Sequence, residues 1–383
     1  MFKSLRTVSF RNLDDVEIDV FGKDVFFVGE NGQGKTNFLE ALYFCSYASS
    51  FRGVKDRDIV RADLPEKEKD FSAAVELCPP DSAIHRTIFV KYENSRKSII
   101  LDGKKIEDRK DLLETVPCVV FCHEDMEFVS GSQERRRWFF DQTRSFYDPV
   151  YLDDLRKYRR VLKTRNAVLK ECRLGVRGRS SAEDILDALD PQLAEYGLRL
   201  MKKRQGEAER FSLVFGALYE EVSGIDGVGV AYLPSWKSVP PDSQGAAAGY
   251  LAARREADIS FGLTAAGPHR DRYLFVRKGA GGGRQNGDFS GAASTGQRRL
   301  LALLLRVAQA RSFSDMTGKM PVLLLDDVLL ELDGDKRGRF LAVMPRYEQA
   351  FFTFLPEEPY DRYRKSDTIV YYVNGGTAGR EKA

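Results

Sequence analysis

The sequence predicts an α/β fold of mixed sheets and helices with an inserted helical arm. A glycine-rich turn near residue 30 joins a buried strand to a helix. A second buried strand, ending in two aspartates, follows ~290 residues later. Between them the apolar spacing becomes helical. We therefore expect residues 1–130 and 226–383 to form one α/β head, with residues 131–225 as the arm.

The N-terminal part of the head has strand patterns. Val16, Ile18 and Val20 alternate with acidic residues, so one sheet face should be buried and the other wet. The apolar run DVFFV (24–28) predicts a fully buried strand, and an apolar helix should follow it. Residues 70–122 again indicate strands.

The remaining segments alternate in type. Helices are expected over residues 132–220, with a break near Pro191, and short strands over 225–277. Residues 279–294 are glycine-rich and predict a mobile loop. A long helix, the buried strand PVLLLDD and the strand QAFFTFL follow, and GGTAGREKA predicts a frayed tail.

The composition and the N-terminal pattern argue against a membrane-spanning or secreted protein. The 383 residues are 43% apolar, enough for sizeable cores, yet no apolar run reaches the roughly 18 residues of a membrane helix. The N-terminus lacks the pattern of a secretory signal, so we expect a soluble cytoplasmic protein with reduced cysteines. Residues 151–180 contain ten Lys or Arg against three acidic residues. This run indicates either a polyanion-binding face or a solvated helix.

The glycine-rich turn matches the phosphate-binding loop pattern at Gly29, Gly34, Lys35 and Thr36. Glycines let backbone N–H groups surround phosphate oxygens, and the helix that follows has a positive N-terminal end. The lysine should neutralise the β- and γ-phosphates of ATP, and the threonine hydroxyl should contact Mg²⁺.

The strand PVLLLDD supplies the carboxylates that a nucleotide site needs. Asp326 is predicted to hold the Mg²⁺ shell, and Asp327 to orient or deprotonate the attacking water. Simple kinases and small GTPases have a much shorter gap between the two motifs, so the gap favours a nucleotide domain with a large insertion.

The N-terminus of a second predicted helix is suited to bind an anion. Ser294 is a good N-cap, and Thr295, Gly296 and Gln297 open a long apolar helix. Two anion-binding helix starts in one chain would be explained by two chains facing each other, each enclosing the nucleotide of the other.

Together these motifs resemble the ATPase heads of the ABC and structural-maintenance-of-chromosomes (SMC) class. With SSFR, EDMEFVSGSQERRRWFFD, LKTRNAVLK, TAAGPHRDR and STGQRR, the sequence resembles the RecF family of bacterial recombination mediators over almost its whole length. The resemblance implies an SMC-type P-loop ATPase head with a short arm. It also implies an ATP-dependent homodimer with weak ATPase activity, which binds gapped or junction DNA and helps to load RecA together with RecR and possibly RecO.

The resemblance also implies roles for individual residues. Arg298 would belong with the signature that meets the γ-phosphate of the partner, and Arg52 would lie near nucleotide or DNA. Basic residues of the arm are proposed to contact DNA phosphates or to brace the DNA-binding face. The full phosphate loop is Gly29, Glu30, Asn31, Gly32, Gln33, Gly34, Lys35, Thr36 and Asn37; the dimer loop is Glu331, Leu332 and Asp333; the basic arm residues are Arg159, Arg160, Lys163 and Arg165.

Some positions depart from the family pattern. Leu330 stands where a serine is usual, and His123 where a proline is common. His123 and Glu124 lie near the place where related heads have a metal-contacting glutamine, and no role is assigned to them. For His269 in GPHRD a structural turn is preferred over a catalytic role.

Two other functions are compatible with a phosphate loop. A small-molecule kinase would need an acceptor pocket and no DNA. The ATPase subunit of a transporter would have a shorter gap between the motifs and a switch histidine after QAFFTF, and the sequence has neither.

Overall fold

The computed structural model describes residues 1–65, 69–78, 85–108, 110–277, 288–329, 332 and 334–381. In chain order the strands are β1 (Phe2–Val8), β2 (Val16–Asp19), β3 (Asp24–Val28), β4 (Phe71–Leu77), β5 (Arg86–Glu93), β6 (Arg96–Leu101), β7 (Lys104–Ile106), β8 (Cys118–Phe121), β9 (Val228–Leu233), β10 (Arg272–Arg277), β11 (Val322–Leu325), β12 (Gln349–Phe354), β13 (Ile369–Asn374) and β14 (Thr377–Arg380).

The α-helices complete the architecture together with short 3₁₀ turns. They are α1 (Lys35–Tyr47), α2 (Lys110–Thr115), α3 (Met126–Ser130), α4 (Gln133–Ser145), α5 (Pro149–Arg173), α6 (Arg179–Ser223), α7 (Gln244–Ala253), α8 (Arg255–Phe261), α9 (Phe289–Ala292), α10 (Thr295–Thr317) and α11 (Gly334–Ala342). Within the described ranges no helix is both long and apolar enough to cross a membrane.

The chain divides into two compact units. The first contains Met1–Asp125 and Gln309–Ala383, and the second contains Met126–Ala308. Both ends of the chain therefore enter one α/β unit, as their strand patterns predict. The mixed sheets and the long helices α5 and α6 agree with the predicted α/β fold with an inserted helical region.

The first unit contains two sheets. One is antiparallel, in the order β2-β1-β4-β5-β6-β7. The other has the order β14-β13-β3-β12-β11-β8, and its strands are parallel except for the edge strand β14. All five residues of β3 are buried, as expected of a strand covered on both faces. Both phosphate-site motifs thus lie at the carboxyl ends of strands in this sheet.

The second unit combines the helices α4, α5 and α6 with the antiparallel pair β9 and β10. Residues 226–308 are grouped with this unit. They contact its helices: Val230 donates its N–H to Ser212 Oγ at 2.9 Å. A methyl group on Gly197 of α6 would also come within 2.8 Å of the Trp236 ring. The three-part domain division itself stays a prediction.

The helix break near Pro191 was predicted wrongly, because α6 continues through this residue. The side chains around the proline are held by tertiary contacts. Asp190 is buried and accepts hydrogen bonds from Arg165 and Arg255, while Leu193 and Ala194 are buried in the core. These contacts offset the hydrogen bond that proline removes from a helix.

The frayed C-terminal tail was also predicted wrongly. Residues Thr377–Arg380 form β14, which pairs with β13 through a two-residue turn. Gly375 and Gly376 both have positive φ, at 58° and 93°, as a tight turn of this hairpin class requires. The Asn-Gly-Gly sequence was the local signal for this hairpin. The predicted mobile loop lies largely outside the described residues, and its end forms the short helix α9.

None of the five cysteines forms a disulfide. Cys45, Cys118 and Cys122 are buried. Burial raises the pKa of the Cys118 thiol to about 12, so this thiol stays protonated at neutral pH. The prediction of reduced thiols is consistent with these environments.

Candidate nucleotide-binding site

The phosphate loop is built by backbone geometry between β3 and α1. Gly34 caps α1 with a φ of 113°, and Gly32 has a φ of 80°. A methyl group on Gly32 would have no neighbour within 4 Å, so the loop is open at that point. Glycine is required for a different reason at Gly29, where a methyl group would lie 2.3 Å from the carbonyl oxygen of Val373.

Lys35 is folded back over the start of the loop. Its Nζ donates hydrogen bonds to the carbonyl oxygens of Gly29, at 2.7 Å, and Glu30, at 3.2 Å. The side chain is buried, yet its partners are neutral carbonyls and not a carboxylate. An anionic phosphate would be a stronger partner for this ammonium group. The arrangement therefore fits ATP.

The two predicted motifs meet at one hydrogen bond. Thr36 Oγ1 donates to Asp326 Oδ1 at 2.8 Å, although 290 residues separate them. Removal from water is the main reason that the pKa of Asp326 rises to about 6; the charge of Asp327 adds to the rise, and the hydrogen bond from Thr36 opposes it. A cation bound nearby would stabilise the charged form of this carboxylate.

The donor set fits Mg²⁺. Within the described part of the chain no cluster of three or more His, Cys, Asp or Glu side chains could hold a metal. Mg²⁺ commonly binds through one or two carboxylates together with water and substrate phosphates. Thr36 and Asp326 supply oxygen ligands of that kind beside the phosphate loop. Bound Mg²⁺ would neutralise phosphate charge there.

Sequence reasoning missed Thr353, which links the two aspartates. Its hydroxyl lies 2.8 Å from Asp327 Oδ1 and 3.2 Å from Asp326 Oδ1, and it accepts the N–H of Asp327 at 2.8 Å. Asp327 has a positive φ of 51°, which non-glycine residues seldom adopt. Thr353 therefore holds the proposed catalytic carboxylate in place. The sequence held no local signal for this role, because it depends on the pairing of β12 with β11.

Arg52 lies beside the first turn of α1. Its Nη1 donates to Asn37 Oδ1 at 3.1 Å and lies 3.4 Å from Glu40 Oε2. Glu40 is fully buried and also accepts two hydrogen bonds from Arg11. The family resemblance implies that Arg52 lies near nucleotide or DNA, and the structure places it against the phosphate-loop helix. Arg11 and Glu40 were missed because they have no motif of their own.

The predicted signature forms a helix start in the second unit. Ser294 Oγ accepts the N–H of Gln297 at 3.2 Å, and Gln297 Oε1 accepts the N–H of Ser294 at 2.8 Å. This reciprocal pair is a capping box, so the N-cap prediction for Ser294 is confirmed. Thr295 and Gly296 are exposed, and Arg298 follows in the first turn.

The dimer-loop residues Glu331 and Asp333 lie outside the described residues, whereas Leu332 is buried. His123 and Glu124 form an exposed 3₁₀ turn after β8.

The basic residues of the arm differ in environment. Arg160 and Lys163 are exposed, and Arg159 is exposed with its guanidinium 3.5 Å from Asp141. Arg165 is fully buried and pairs with Asp190 and Asp258, each at 2.8 Å. Burial therefore leaves Arg165 no direct phosphate contact, and of its two predicted roles bracing of the DNA-binding face stays a prediction. Its helical spacing from Tyr158 and Val168, both on the buried face, was the available signal.

His269 occupies a 3₁₀ turn, as preferred from the sequence. Its ring nitrogens contact the Tyr158 hydroxyl at 2.7 Å and the carbonyl oxygen of Thr264 at 2.9 Å. Burial lowers the pKa of His269 to about 4. A neutral histidine with both nitrogens engaged supports the structural role.

Comparisons with known proteins agree with this geometry. Residues 1–375 match the family described as RecF/RecN/SMC N terminal domain. The chain is 40% identical over 372 residues to the DNA replication and repair protein RecF of Treponema pallidum, covering 97% of this chain and 99% of that protein. It is 29% identical over 380 residues to RecF of Clostridium botulinum, covering 99% of each.

Solved structures extend the comparison. The recombination mediator protein RecF with ATP, from the RecFOR pathway, superposes with a TM-score of 0.84 at 28% identity, covering 100% of this chain and 97% of that one. The Smc head of Pyrococcus furiosus bound to the C-terminal domain of ScpA superposes with a TM-score of 0.53 at 16% identity, covering 99% and 95%. The second likeness concerns the fold alone.

Proposed function

Because the chain belongs to the RecF/RecN/SMC family, and within it to the RecF DNA replication and repair proteins, we propose that it is an ATP-gated DNA-binding protein of recombinational repair. The observation that carries the proposal is the hydrogen bond between Thr36 and Asp326. It joins the phosphate loop to the acidic strand end, which is the combination needed to hold ATP with Mg²⁺.

Each residue of the site has one task in this proposal. The backbone N–H groups of the loop and the Lys35 ammonium bind the phosphates, and Thr36 and Asp326 hold Mg²⁺. Asp327 orients or deprotonates the attacking water, while Thr353 keeps this carboxylate in position. We expect hydrolysis to be slow, as the family resemblance implies.

A second copy of the chain completes the site. The exposed helix start at Ser294, Thr295 and Gly296 is suited to a phosphate of the partner, because its N–H groups and dipole attract anions. ATP would therefore hold two chains together, and hydrolysis would release them. Glu331 and Asp333 are proposed to contact the opposing subunit.

The dimer is proposed to act on DNA. The exposed cations Arg159, Arg160 and Lys163 support a phosphate-binding face on the arm. We propose gapped duplexes and single-strand/double-strand junctions as the substrates, RecR and possibly RecO as partners, and RecA loading as the result. Such a protein would work in the cytoplasm, where bacterial DNA is found.

ATP turnover with and without DNA tests the proposal. We expect weak hydrolysis that requires Mg²⁺ and rises when gapped duplex DNA is added, and Asp327→Asn should slow hydrolysis under both conditions. Blunt duplex of the same length is the control for DNA structure. Turnover that ignores DNA but requires a small phosphoryl acceptor would instead identify a kinase, and this outcome would overturn the proposal.

A further inference from the structure

The C-terminal hairpin turn is hydrogen-bonded to the phosphate loop. Gly375 donates its N–H to Gln33 Oε1 at 2.6 Å, and Gly376 donates its N–H to the carbonyl oxygen of Gln33 at 2.8 Å. The carbonyl oxygen of Gly376 accepts the N–H of Asp14 at 3.2 Å. The turn therefore uses its backbone groups to join Gln33 to the loop between β1 and β2.

The turn packs so closely against the backbone of Asn12 that there is no room for a side chain at Gly376. A methyl group there would lie 1.9 Å from the carbonyl oxygen of Asn12 and 2.9 Å from its carbonyl carbon. A methyl group on the neighbouring Gly375 would meet nothing within 4 Å. The turn thus touches Asn12 at one glycine only, and the obstacle is backbone, which cannot rotate away.

Asn12 connects the turn to the other end of the phosphate loop. Its Oδ1 accepts a hydrogen bond from Asn37 Nδ2 at 2.6 Å, in the first turn of α1. Strand β13 also approaches the beginning of the loop, where Gly29 faces the carbonyl oxygen of Val373. The loop is consequently held at its start, at Gln33 and at its last residue, Asn37.

We propose that Gly376, Asn12 and Gln33 form a clasp that fixes the phosphate loop in its nucleotide-binding conformation. The residues after Asn374, which contain no nucleotide motif, would then help to set the affinity for ATP. A loop held in the bound conformation loses less conformational freedom when ligand arrives, so preorganisation raises affinity. The inference rests on the proposed binding of ATP by this loop.

The clasp also has a reciprocal consequence. If the hairpin favours the conformation that binds ATP, ATP must stabilise the hairpin to the same extent. Amide hydrogens of Gly375 and Gly376 should therefore exchange more slowly when nucleotide is bound. A turn that only stabilises the fold would show no such coupling.

Two matched glycine variants test the clasp. Gly376→Ala introduces the methyl group that collides with Asn12. Gly103→Ala is the control, because Gly103 is also the second residue of a two-residue turn, between β6 and β7, with a φ of 76° and no neighbour within 4 Å of an added methyl. Both variants carry the strain of a positive φ, so their difference isolates the contact.

The measurement is direct binding of a ribose-labelled fluorescent ATP analogue with Mg²⁺. We expect Gly376→Ala to raise Kd about tenfold or more, and Gly103→Ala to change it less than about twofold. Thermal unfolding without nucleotide shows whether each variant is folded. Should Gly376→Ala not fold, Gln33→Met replaces it, since this change removes only the side-chain acceptor and should raise Kd about threefold.

The results separate the inference from the proposed function. If the wild type and Gly103→Ala bind the analogue and the clasp variant binds it equally well, the clasp is wrong while the ATP site stands. If nucleotide leaves amide exchange at Gly375 and Gly376 unchanged in the wild type, the clasp is also overturned. If the wild type binds no analogue at all, the proposed function fails first.

Discussion

The hydroxyl of Thr353 lies 2.8 Å from the Oδ1 atom of Asp327 and also accepts the backbone N–H of that residue. Thr353→Val keeps the shape of the side chain but removes both hydrogen bonds. We expect ATP turnover to fall about tenfold, since about 1.4 kcal/mol of lost positioning has that effect. ATP affinity should stay within about threefold in a labelled-nucleotide titration. Thr353→Ser keeps the hydroxyl and should retain turnover; equal losses in both variants would contradict the assignment.

Asp327→Asn should preserve ATP binding and slow hydrolysis. The amide keeps the size of the carboxylate but cannot accept a proton from water. Dimers held by ATP should accumulate, and size-exclusion chromatography with ATP should show a larger dimer fraction than for the wild type. Normal turnover, or an unchanged monomer fraction, would show that another group activates the water.

Mixing two inactive variants tests whether the site is shared between chains. Lys35→Ala should abolish ATP binding, because it removes the cation that lies over the loop. Ser294→Arg should block the signature helix and also remove its N-cap. A mixed dimer would contain one intact site, so random pairing should restore about a quarter of wild-type activity.

The recovery in this mixture should increase with protein concentration, because a single ATP holds the dimer less well. If activity never exceeds the sum of the two variants, even with DNA present, the signature works within its own chain. Binding of ATP by Lys35→Ala with wild-type affinity would contradict the role of the lysine itself.

The basic residues of the arm should separate into two groups. Replacing Arg160 and Lys163 by Ala should flatten the salt dependence of DNA binding, by about 0.9 in the log–log slope for each lost phosphate contact on duplex. Arg165→Ala should instead lower the free energy of unfolding by about 3–5 kcal/mol, because it leaves the buried carboxylate of Asp258 without its cation and leaves Asp190 with Arg255 alone. An unchanged slope in the first variant would identify a solvated face.

Stability should fall between pH 6.5 and 4 because of His269. Its pKa is about 4 in the folded chain and 6.5 for the ordinary side chain, so the unfolded chain binds a proton that the folded chain excludes. The loss is absent above pH 6.5 and should reach about 2 kcal/mol at pH 5. Urea unfolding of the wild type and His269→Gln at pH 7 and pH 5 measures it. The stability gap between them should narrow at the lower pH; a constant gap would contradict the shift.

The sequence by itself determined the features that depend on neighbouring residues. The glycine spacing before Lys35 specifies a phosphate loop, because the turn and the following helix start are local. Ser294 and Gln297 cap their helix within three residues of each other. The apolar composition of DVFFV was enough to predict a strand buried on both faces.

Only the tertiary structure decided which distant groups meet. Local periodicity puts Arg165 on the buried face of α5, but its carboxylate partners come from α6 and α8. From the sequence, the glycine pair near the C-terminus predicts a flexible tail. In the structure its N–H groups donate hydrogen bonds to Gln33. Thr353 acquires its role in the same way, because parallel pairing of β11 and β12 brings it to the aspartates. Such contacts depend on strand order and register, and no short stretch of sequence contains that information.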